Sequence, residues 1–464
     1  ILNNEITANT NTDNFQGNPA VAKLNGGNFV VAWQSVGNDA DGYAICAQIF
    51  SADGTKIGDE LLVNTYAENH QLNPAIAAVG DNFVVVWESY GQDAIDTASE
   101  RSVYGQMFSG NGAIVGDEFQ VNSIQTQDFV HPVSGRQSSD QRDPNIVSYD
   151  STSFSVFWSQ TSEGSGRAAL VQRNFEIVAD RIVAGTETVL DDSIGDSDVH
   201  PSTTSDGAKI LLGYDIYQDI SLISFKEGTW SEISLDQEQG GPGHTGYTSL
   251  AISQTSDNFI VAWSTHTEGV KFQVFDGNAE GVTNGAVVIS DAENSGPNRP
   301  SVAALTDGSY ISIWQSWAQD GDSHGLFGQK INSAGELSGN IFQINHKFIG
   351  EQQYADIIAL DDGGFAVVWQ SSPYSDPRVD VQLQIFDSNA VPLTKTVDDN
   401  LPSGSPTIIE NQYDNQKLFL DISDVQDLDG INAIYINWLI DGVTNNNHSS
   451  DYTITSGDFG KEIV

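Results

Sequence analysis

Short apolar runs that end in tryptophan recur along the chain and form the strongest pattern in its sequence. The first two read NFVVAWQS and NFVVVWES, and a weaker copy, AKILLGYD, has Tyr214 in place of the tryptophan. Seven copies are present, with starts 50 to 71 residues apart, at Asn28, Asn82, Ser153, Ala208, Asn258, Ser309 and Gly364. Short, nearly continuous apolar runs rich in β-branched residues predict strands covered on both faces.

Each tryptophan run lies inside a longer repeated frame. In the first copy a strand NPAVAKL begins at Asn18 and is followed by the polar turn LNGG. After the tryptophan run comes a polar loop, then YAICAQIF from Tyr43, a hairpin turn, and DELLVNT from Asp59. No helical period of 3.6 residues competes with this pattern. Each repeat therefore predicts four antiparallel strands.

Four strands repeated seven times at about 50 residues are typical of propeller blades. We therefore predict an all-β chain in which residues 1–399 form a seven-bladed β-propeller of four-stranded antiparallel blades. A tryptophan at the end of a buried strand can pack between neighbouring blades. We predict this structural role for Trp33, Trp87, Trp158, Trp263, Trp314 and Trp369.

The N-terminal segment 1–10 reads ILNNEITANT and is similar to the fourth strand DELLVNT, but it precedes the first repeat. We expect it to pair with the last blade and so remove an exposed sheet edge. The segment Val391 to Asp398 could supply that fourth strand instead, so two closures are open. The recurring pairs Asp59-Glu60 and Asp117-Glu118 are interpreted as edge charges that discourage pairing between sheets.

The repeat ends near Asn400, where LPSGSP forms a plausible linker. Residues 400–464 contain KLFLDISDVQDLDG, a Tyr/Trp strand and SDYTITSGDFGKEIV. This order is similar to Ig-like β-sandwich repeats of giant bacterial surface proteins, which implies a partial C-terminal Ig-like β-sandwich. The chain has no initiating methionine and ends inside this domain, so we expect further domains of a longer chain.

Composition excludes several classes of function. The 464 residues are 39% hydrophobic, which is typical of a globular chain. Asp and Glu total 63 and Lys and Arg 18, giving a net charge of −45. Such a surface repels nucleic acid and anionic membranes, and no apolar run approaches a membrane span. Cys46 is the single cysteine, so no internal disulfide forms, and its alternating apolar surroundings predict a core residue.

The frame NPxVAxL, GGxFVVxWQS and GxExxVNT resembles repeats in large secreted bacterial proteins of the RTX-adhesin and hemolysin-type calcium-binding group. The resemblance implies type I secretion, an extracellular or cell-surface location, and dependence on calcium. The calcium nonapeptide GGxGxDxUx of that group is absent. The nearest string, GGPGHTGYT, has Thr245 where the aspartate would stand.

Acidic loops after the tryptophan strands are the candidate metal sites. Alternating carboxylates on a tight glycine turn bring oxygens together, as calcium coordination requires. The alternative is an ordinary solvated turn. The candidate Ca²⁺ ligands are Asn38, Asp39, Asp41, Asp93, Asp96, Asp320, Asp322, Asp427 and Asp429.

Signatures of enzymes are poor. The sequence has no HExxH zinc motif, no GxSxG nucleophile elbow and no P-loop, so no catalytic residue is assigned. We expect a secreted surface or adhesion module that binds glycan or extracellular protein ligands. One alternative is a carbohydrate-active enzyme, a glycoside hydrolase or polysaccharide lyase, with its site in the propeller channel; another is a structural subunit of an extracellular assembly. A channel mouth rich in Arg, His, Tyr and carboxylates would favour the enzyme.

Overall fold

The computed structural model divides the chain into two compact units, Ile1–Leu393 and Thr394–Val464. In the second unit it describes only the backbone of five strands. The described residues of the first unit are 5–39, 41–92, 101–123, 138–162, 168–191, 201–205, 209–216, 219–226, 229–233, 248–253, 255–265, 269–283, 285–290, 298–320, 323–346, 350–372 and 378–393.

The first unit consists of seven four-stranded antiparallel sheets. The first three, in the order of the chain, contain β2 (Gln16–Lys23), β3 (Phe29–Val36), β4 (Tyr43–Phe50) and β5 (Lys56–Leu62); β6 (Gln71–Val79), β7 (Asn82–Tyr90), β8 (Arg101–Ser109) and β9 (Ile114–Gln120); β10 (Ser138–Ser148), β11 (Ser153–Ser162), β12 (Ala168–Val178) and β13 (Arg181–Asp191). A single 3-10 turn, Asn25–Gly27, lies between β2 and β3 within the described ranges.

Four further sheets complete the unit. They contain β14 (Ser202–Ser205), β15 (Lys209–Ile216), β16 (Asp219–Lys226) and β17 (Thr229–Ile233); β18 (Thr248–Ile252), β19 (Phe259–Thr265), β20 (Gly269–Phe275) and β21 (Val287–Ser290); β22 (Asn298–Ala304), β23 (Tyr310–Trp317), β24 (His324–Ile331) and β25 (Leu337–Gln343); β26 (Glu351–Ala359), β27 (Phe365–Ser372), β28 (Asp380–Phe386) and, from the N-terminus, β1 (Ile6–Thr7). We number these sheets blades 1 to 7.

The first strands of the blades surround a central axis. Each first strand contacts the first strands of both neighbouring blades, and β2 contacts β26, which closes the ring. The chain is therefore a seven-bladed β-propeller with four-stranded antiparallel blades, as predicted. The described residues include no helix with the length and hydropathy of a membrane span.

The hydrophobic core consists of seven clusters, one at each seam between neighbouring blades. Each seam contains one of the repeated aromatic residues: six hold a tryptophan, and the seam between blades 3 and 4 holds Tyr214. Those six tryptophans are at most 6% exposed, so the predicted structural role is confirmed. Burial of one such side chain contributes at most about 4–6 kcal/mol, because each removes ~150–250 Å² from water.

The N-terminal segment closes the ring. Ile6 and Thr7 of β1 pair with Leu383 and Gln382 of β28, which confirms the predicted closure. The other end of the same outer strand comes from the chain after β28, where Leu393 donates its N–H to the carbonyl of Ile385 at 2.8 Å. The outer strand of blade 7 is therefore built from both ends of the propeller, and each of the two expected segments supplies part of it.

An asparagine after the fourth strand completes the hydrogen bonding of the third. In blade 1, Oδ1 of the buried Asn64 accepts the N–H of Ile45 at 2.7 Å. The same contact, at 2.7 to 2.9 Å, is made in other blades by Asn9, Asn122 and Asn345. This contact is the structural reason for the asparagine in the repeated sequence VNT.

The glutamates of the acidic pairs join neighbouring blades. Glu118 of blade 2 accepts the N–H of Thr65 in blade 1 at 2.6 Å, and Glu60 accepts the N–H of Thr10 at 2.6 Å. Asp59 and Asp117 are exposed, as edge charges would be. The interpretation of both members of each pair as edge charges is therefore wrong for the glutamates.

A second set of contacts joins the blades near the axis. The side chain that follows four of the tryptophans accepts a backbone N–H from the first strand of the next blade, as Gln34 does from Asn73 at 3.2 Å. The N–H that donates lies at a β-bulge whose residue has a left-handed backbone, with φ of 51° at Asn73. Blade 2 uses Glu88 in this role, and its fully buried carboxylate is paired with Arg101 at 2.9 Å.

In the second unit the structure gives β29 (Thr407–Asn411), β30 (Asp414–Asp421) and β33 (Asp451–Thr453) as one sheet. It gives β31 (Trp438–Ile440) and β32 (Val443–Asn445) as a hairpin. The predicted Ig-like sandwich lies mostly outside the described residues.

Candidate functional site

The described predicted metal ligands, Asn38, Asp39, Asp41 and Asp320, follow second strands and lie on one face of the propeller. In every antiparallel blade the second strand ends, and the third begins, at the same end of the sheet as the start of the first strand. We call this the loop face. It is formed by the loops after the second strands and by the connections between successive blades.

In blade 1 two of the predicted calcium ligands make hydrogen bonds within the protein. Asn38 donates its amide to Glu60 at 2.8 Å, and Asp39 accepts the amide of Asn64 at 3.2 Å. The third, Asp41, is exposed. These contacts fix the loop to the outer strands of its own blade.

The carboxyl of Asp39 is partly buried. Burial, opposed by the hydrogen bond from Asn64, raises the pKa of its carboxyl. Its Oδ1 is buried and has no hydrogen-bond partner. A bound cation would offset the cost of this charge, because an opposite charge favours the ionised carboxylate.

One hydrogen bond of the blade 1 loop recurs in blade 6. Asp320 accepts the amide of Asn345 at 3.4 Å, as Asp39 does from Asn64. The remaining predicted ligands lie outside the described residues: Asp93, Asp96, Asp322, Asp427 and Asp429. Within the described part of the chain, no group of three or more His, Cys, Asp or Glu side chains is placed to hold a metal ion. Calcium binding stays a prediction.

An exposed tryptophan marks the loop face between blades 6 and 7. Trp317 is the last residue of β23 and is 49% exposed. The preceding Trp314, three residues earlier, is fully buried in the seam with blade 5. Among the tryptophans whose side chains the structure describes, Trp317 alone is exposed.

A compact polar cluster lies beside Trp317. His324 stands edge to face with its indole, with ring centroids 5.0 Å apart. The Nδ1 atom of His324 lies 2.6 Å from Glu351 of blade 7, and the Gln353 amide lies 3.0 Å from the same carboxylate. Ser323 donates to the other oxygen of Glu351. The cluster therefore places an imidazole, a carboxylate and an amide beside an open aromatic ring.

The equivalent position in blade 2 also holds an aromatic residue, but there the ring is covered by a neighbouring side chain. Tyr90 and Arg101 occupy the positions of Trp317 and His324, as the strand registers show. There the guanidinium lies over the tyrosine ring at 5.4 Å and bonds to Asp140 of blade 3 at 2.9 Å. The Arg101 side chain thus covers the aromatic ring of blade 2, whereas nearly half of Trp317 faces solvent.

The channel mouth was expected to distinguish a binding module from an enzyme. In its described part, first-strand bulges with left-handed backbone place Asn18, Asn73, Asp143, Arg299 and Tyr354 there. The guanidinium of Arg299 lies 4.3 Å from the ring centroid of Tyr354. The mouth is thus polar and mixed, and by itself it favours neither function.

A pocket of about 440 Å³ lies at the outer seam where the N-terminal segment meets blade 1. It is lined by Thr10, Asn11, Asn38, Gln48, Lys56, Gly58, Asp59 and Glu60. Burial lowers the pKa of Lys56, whose ammonium donates to the carbonyl of Asn9 at 3.3 Å. Because Glu60 is also paired with Thr10 and Asn38, these charged groups support the closure of the ring.

The residues of this candidate site that sequence reasoning missed are Trp317, Glu351 and Gln353. The sequence did contain one signal for Trp317. Of the repeated tryptophan runs, only the sixth is followed by a second tryptophan, in the string WQSW. Glu351 lies 27 residues from His324 and on another blade. Their contact depends on how blades 6 and 7 pack.

No protein-family profile matches the chain, and no curated protein matches it. Solved structures with a similar arrangement include a leech intramolecular trans-sialidase (9% identity, TM-score 0.45, covering 81% of this chain and 68% of that one). A six-bladed fucose-recognising lectin of the fungus Aleuria aurantia has 11% identity and a TM-score of 0.45, over 72% and 98% of the two chains. The propeller domain of the Trilobed protease of Pyrococcus furiosus has 9% identity and a TM-score of 0.44, over 84% and 98%. Because all these TM-scores are below 0.5, the proposals below rest on the residues of this chain.

Proposed function

We propose that the chain is a carbohydrate-binding module and that its ligand binds on the loop face at the junction of blades 6 and 7. The observation that carries this proposal is the exposed indole of Trp317 beside the His324–Glu351–Gln353 cluster. A sugar ring presents an apolar C–H face and a rim of hydroxyls. An open aromatic ring packs against the apolar face, and a few fixed polar groups orient the hydroxyls.

The charge of the protein restricts the class of sugar. The net charge is −45 and the site itself contains a carboxylate, Glu351. Such a potential disfavours anionic ligands. We therefore propose neutral hexoses or amino sugars as ligands, rather than sialic acids or uronic acids.

The proposed setting is the surface or surroundings of a bacterial cell. The resemblance of the repeats to the RTX-adhesin group supports export by type I secretion and stabilisation by calcium. The single cysteine agrees with this setting, because a chain without disulfides does not depend on the oxidising compartments that other secreted proteins use.

Glycan-array screening with and without calcium, followed by calorimetry on the strongest hit, tests the proposal. We expect Trp317→Ala to weaken binding at least about tenfold, since loss of one stacking contact of 1.4 kcal/mol has that effect. Leu337→Ala is the matched control, because Leu337 is 44% exposed on the outer strand of the same blade. Equal affinities of the two variants would refute the site.

The same experiment separates the alternatives. An enzyme in the channel would convert the oligosaccharide, and NMR of the incubated ligand would show new reducing ends or unsaturated products. A structural subunit would bind no glycan and would self-associate when purified. Either result would replace the binding module as the proposed function.

A further inference from the structure

The N-terminal segment contacts three blades through side chains, and we call residues 5–10 the closing segment. Glu5 accepts the N–H of His346 in blade 6 at 2.5 Å. Asn9 accepts the N–H of Val381 in blade 7 at 2.7 Å and donates to Asp380 at 2.8 Å. At the end of the segment the N–H of Thr10 bonds to blade 1.

These contacts follow a pattern that is also present in blades 1 and 2. In blade 1, Glu60 and Asn64 are four residues apart and make the same two types of contact as Glu5 and Asn9. In blade 2, Glu118 and Asn122 do the same. The edge that receives the closing segment therefore recognises particular side chains, a glutamate followed four residues later by an asparagine, as well as an extended backbone.

The docking site is short and is defined at both ends. Only Ile6 and Thr7 form strand pairs with β28, and Ala8 is fully buried between blades 7 and 1. Beyond Ile6 the outer strand is continued by residues 391–393 of the chain itself. A peptide of about six residues thus fills the site.

The connection from the closing segment to blade 1 is open to solvent. Thr12, Asp13 and Asn14 are all exposed. The next paired residue is Phe15, which bridges to Val379 of blade 7, and β2 begins at Gln16. The closing segment is separated from its partner strand by more than 370 positions in the chain. The closing segment is therefore held to blade 7 by non-covalent contacts alone. Residues 12–14, which we call the hinge, connect it covalently to blade 1.

We propose that the edge of blade 7 between blades 6 and 1 is a peptide-binding site, and that it also takes the closing segment of a second copy of this chain. The contacts of residues 5–10 are the same whether the segment comes from the same copy or from another. Within one copy the hinge gives the segment a high effective concentration. Exchange between copies therefore becomes measurable when the hinge is cut or when copies are concentrated.

The test uses the full chain with residues 12–14 replaced by a protease recognition sequence. After cleavage, we expect the segment to stay bound through gel filtration and to be replaced by an excess of a fluorescent peptide of residues 3–11. Unlabelled peptide should compete. A peptide with Asn9→Ala should compete at least about tenfold less well, because the buried N–H of Val381 loses its acceptor. Glu5→Ala should weaken competition less, because the contact of Glu5 with His346 is only partly buried.

Two outcomes overturn the proposal. One is a cleaved chain that stays folded but takes up no labelled peptide at any temperature below its melting point. The other is a labelled peptide that binds equally well with and without Asn9. If cleavage unfolds the chain, refolding with excess peptide decides the matter: recovery of the native circular dichroism supports the site, and failure to recover it contradicts the site.

Discussion

The substitution Asn9→Ala tests whether the closing segment is docked as firmly as a strand within a blade. Asn64→Ala in blade 1 is its internal reference. In each case the asparagine is 3% exposed and its Oδ1 accepts a backbone N–H at 2.7 Å, from Val381 or from Ile45. Both of these residues are fully buried.

The expected loss follows from that hydrogen bond. Removing the acceptor leaves a buried N–H without a partner, which costs about 1–3 kcal/mol. The substitution also removes the hydrogen bond that the Asn9 amide donates to Asp380 at 2.8 Å. The cost of that loss is small, because Asp380 is only half-buried and can bond to water. We therefore expect both variants to be destabilised by about 1–3 kcal/mol, within about 1 kcal/mol of each other.

Differential scanning calorimetry and urea unfolding followed by tryptophan fluorescence measure this loss. Asn111→Ala is the control for the chemical change itself. Asn111 lies in an exposed hairpin turn and accepts from Ser109 at 2.6 Å, so its loss should stay near 0.5 kcal/mol, as for other surface positions. If Asn64→Ala is destabilised while Asn9→Ala matches the wild type, residues 5–10 do not close the ring and the reasoning fails.

Other predictions concern single sites. The Cys46 thiol, whose pKa is raised to about 12 chiefly by burial, should react with a thiol reagent at pH 8 only as fast as the chain unfolds; rapid labelling of native protein would contradict its position. Arg101→Met should destabilise by about 3–5 kcal/mol, because it leaves the buried Glu88 carboxylate unpaired. Adding Glu88→Gln should recover most of this loss, and melting curves of the single and double variants check it. Because the folded-state pKa of Asp39 is raised, its ionisation opposes folding as pH rises through that pKa, so Asp39→Asn should raise the melting temperature at pH 7 without calcium. If the blade 1 loop binds calcium, a chelator should lower the melting temperature of the wild type but not of Asp39→Asn; an unchanged wild-type curve would remove calcium from that loop.

The number of blades and the strand order were predictable because the pattern repeats. Seven apolar runs with one terminal aromatic residue each correspond to seven seams with one such residue each. In a fold built from one repeated unit, the same position of every copy must fill the same space between blades. A single sequence therefore shows this requirement for a large aromatic residue seven times.

The sequence also explains why the N-terminal segment, and not the chain after residue 393, completes the outer strand of blade 7. Continuing the last outer strand from Pro392 with the two-residue register shift of blade 1 would put Asp399 at the position of Ala8, which is 0% exposed. Burial of an unpaired carboxylate costs several kcal/mol. The N-terminal segment avoids that cost because it places alanine there.

The candidate site was less predictable because its parts meet across blades. Trp314 and Trp317 lie in one apolar run, but a separation of three residues puts them on opposite faces of β23. Trp314 is buried in the seam with blade 5, whereas Trp317 lies at the exposed end of the strand. Glu351 reaches His324 from the first strand of the next blade. Similarly, the recurring glutamates resembled edge charges because their partners lie in other repeats.

The most direct test of the proposed binding site is acrylamide quenching of tryptophan fluorescence during titration with the strongest glycan hit, in the wild type and in Trp317→Phe. The wild type should show a larger quencher-accessible component than the variant, because Trp317 is 49% exposed. The glycan should protect that component, with the midpoint at the dissociation constant found by calorimetry. A glycan that binds with full affinity and leaves the accessibility of Trp317 unchanged would show that the ligand site lies elsewhere.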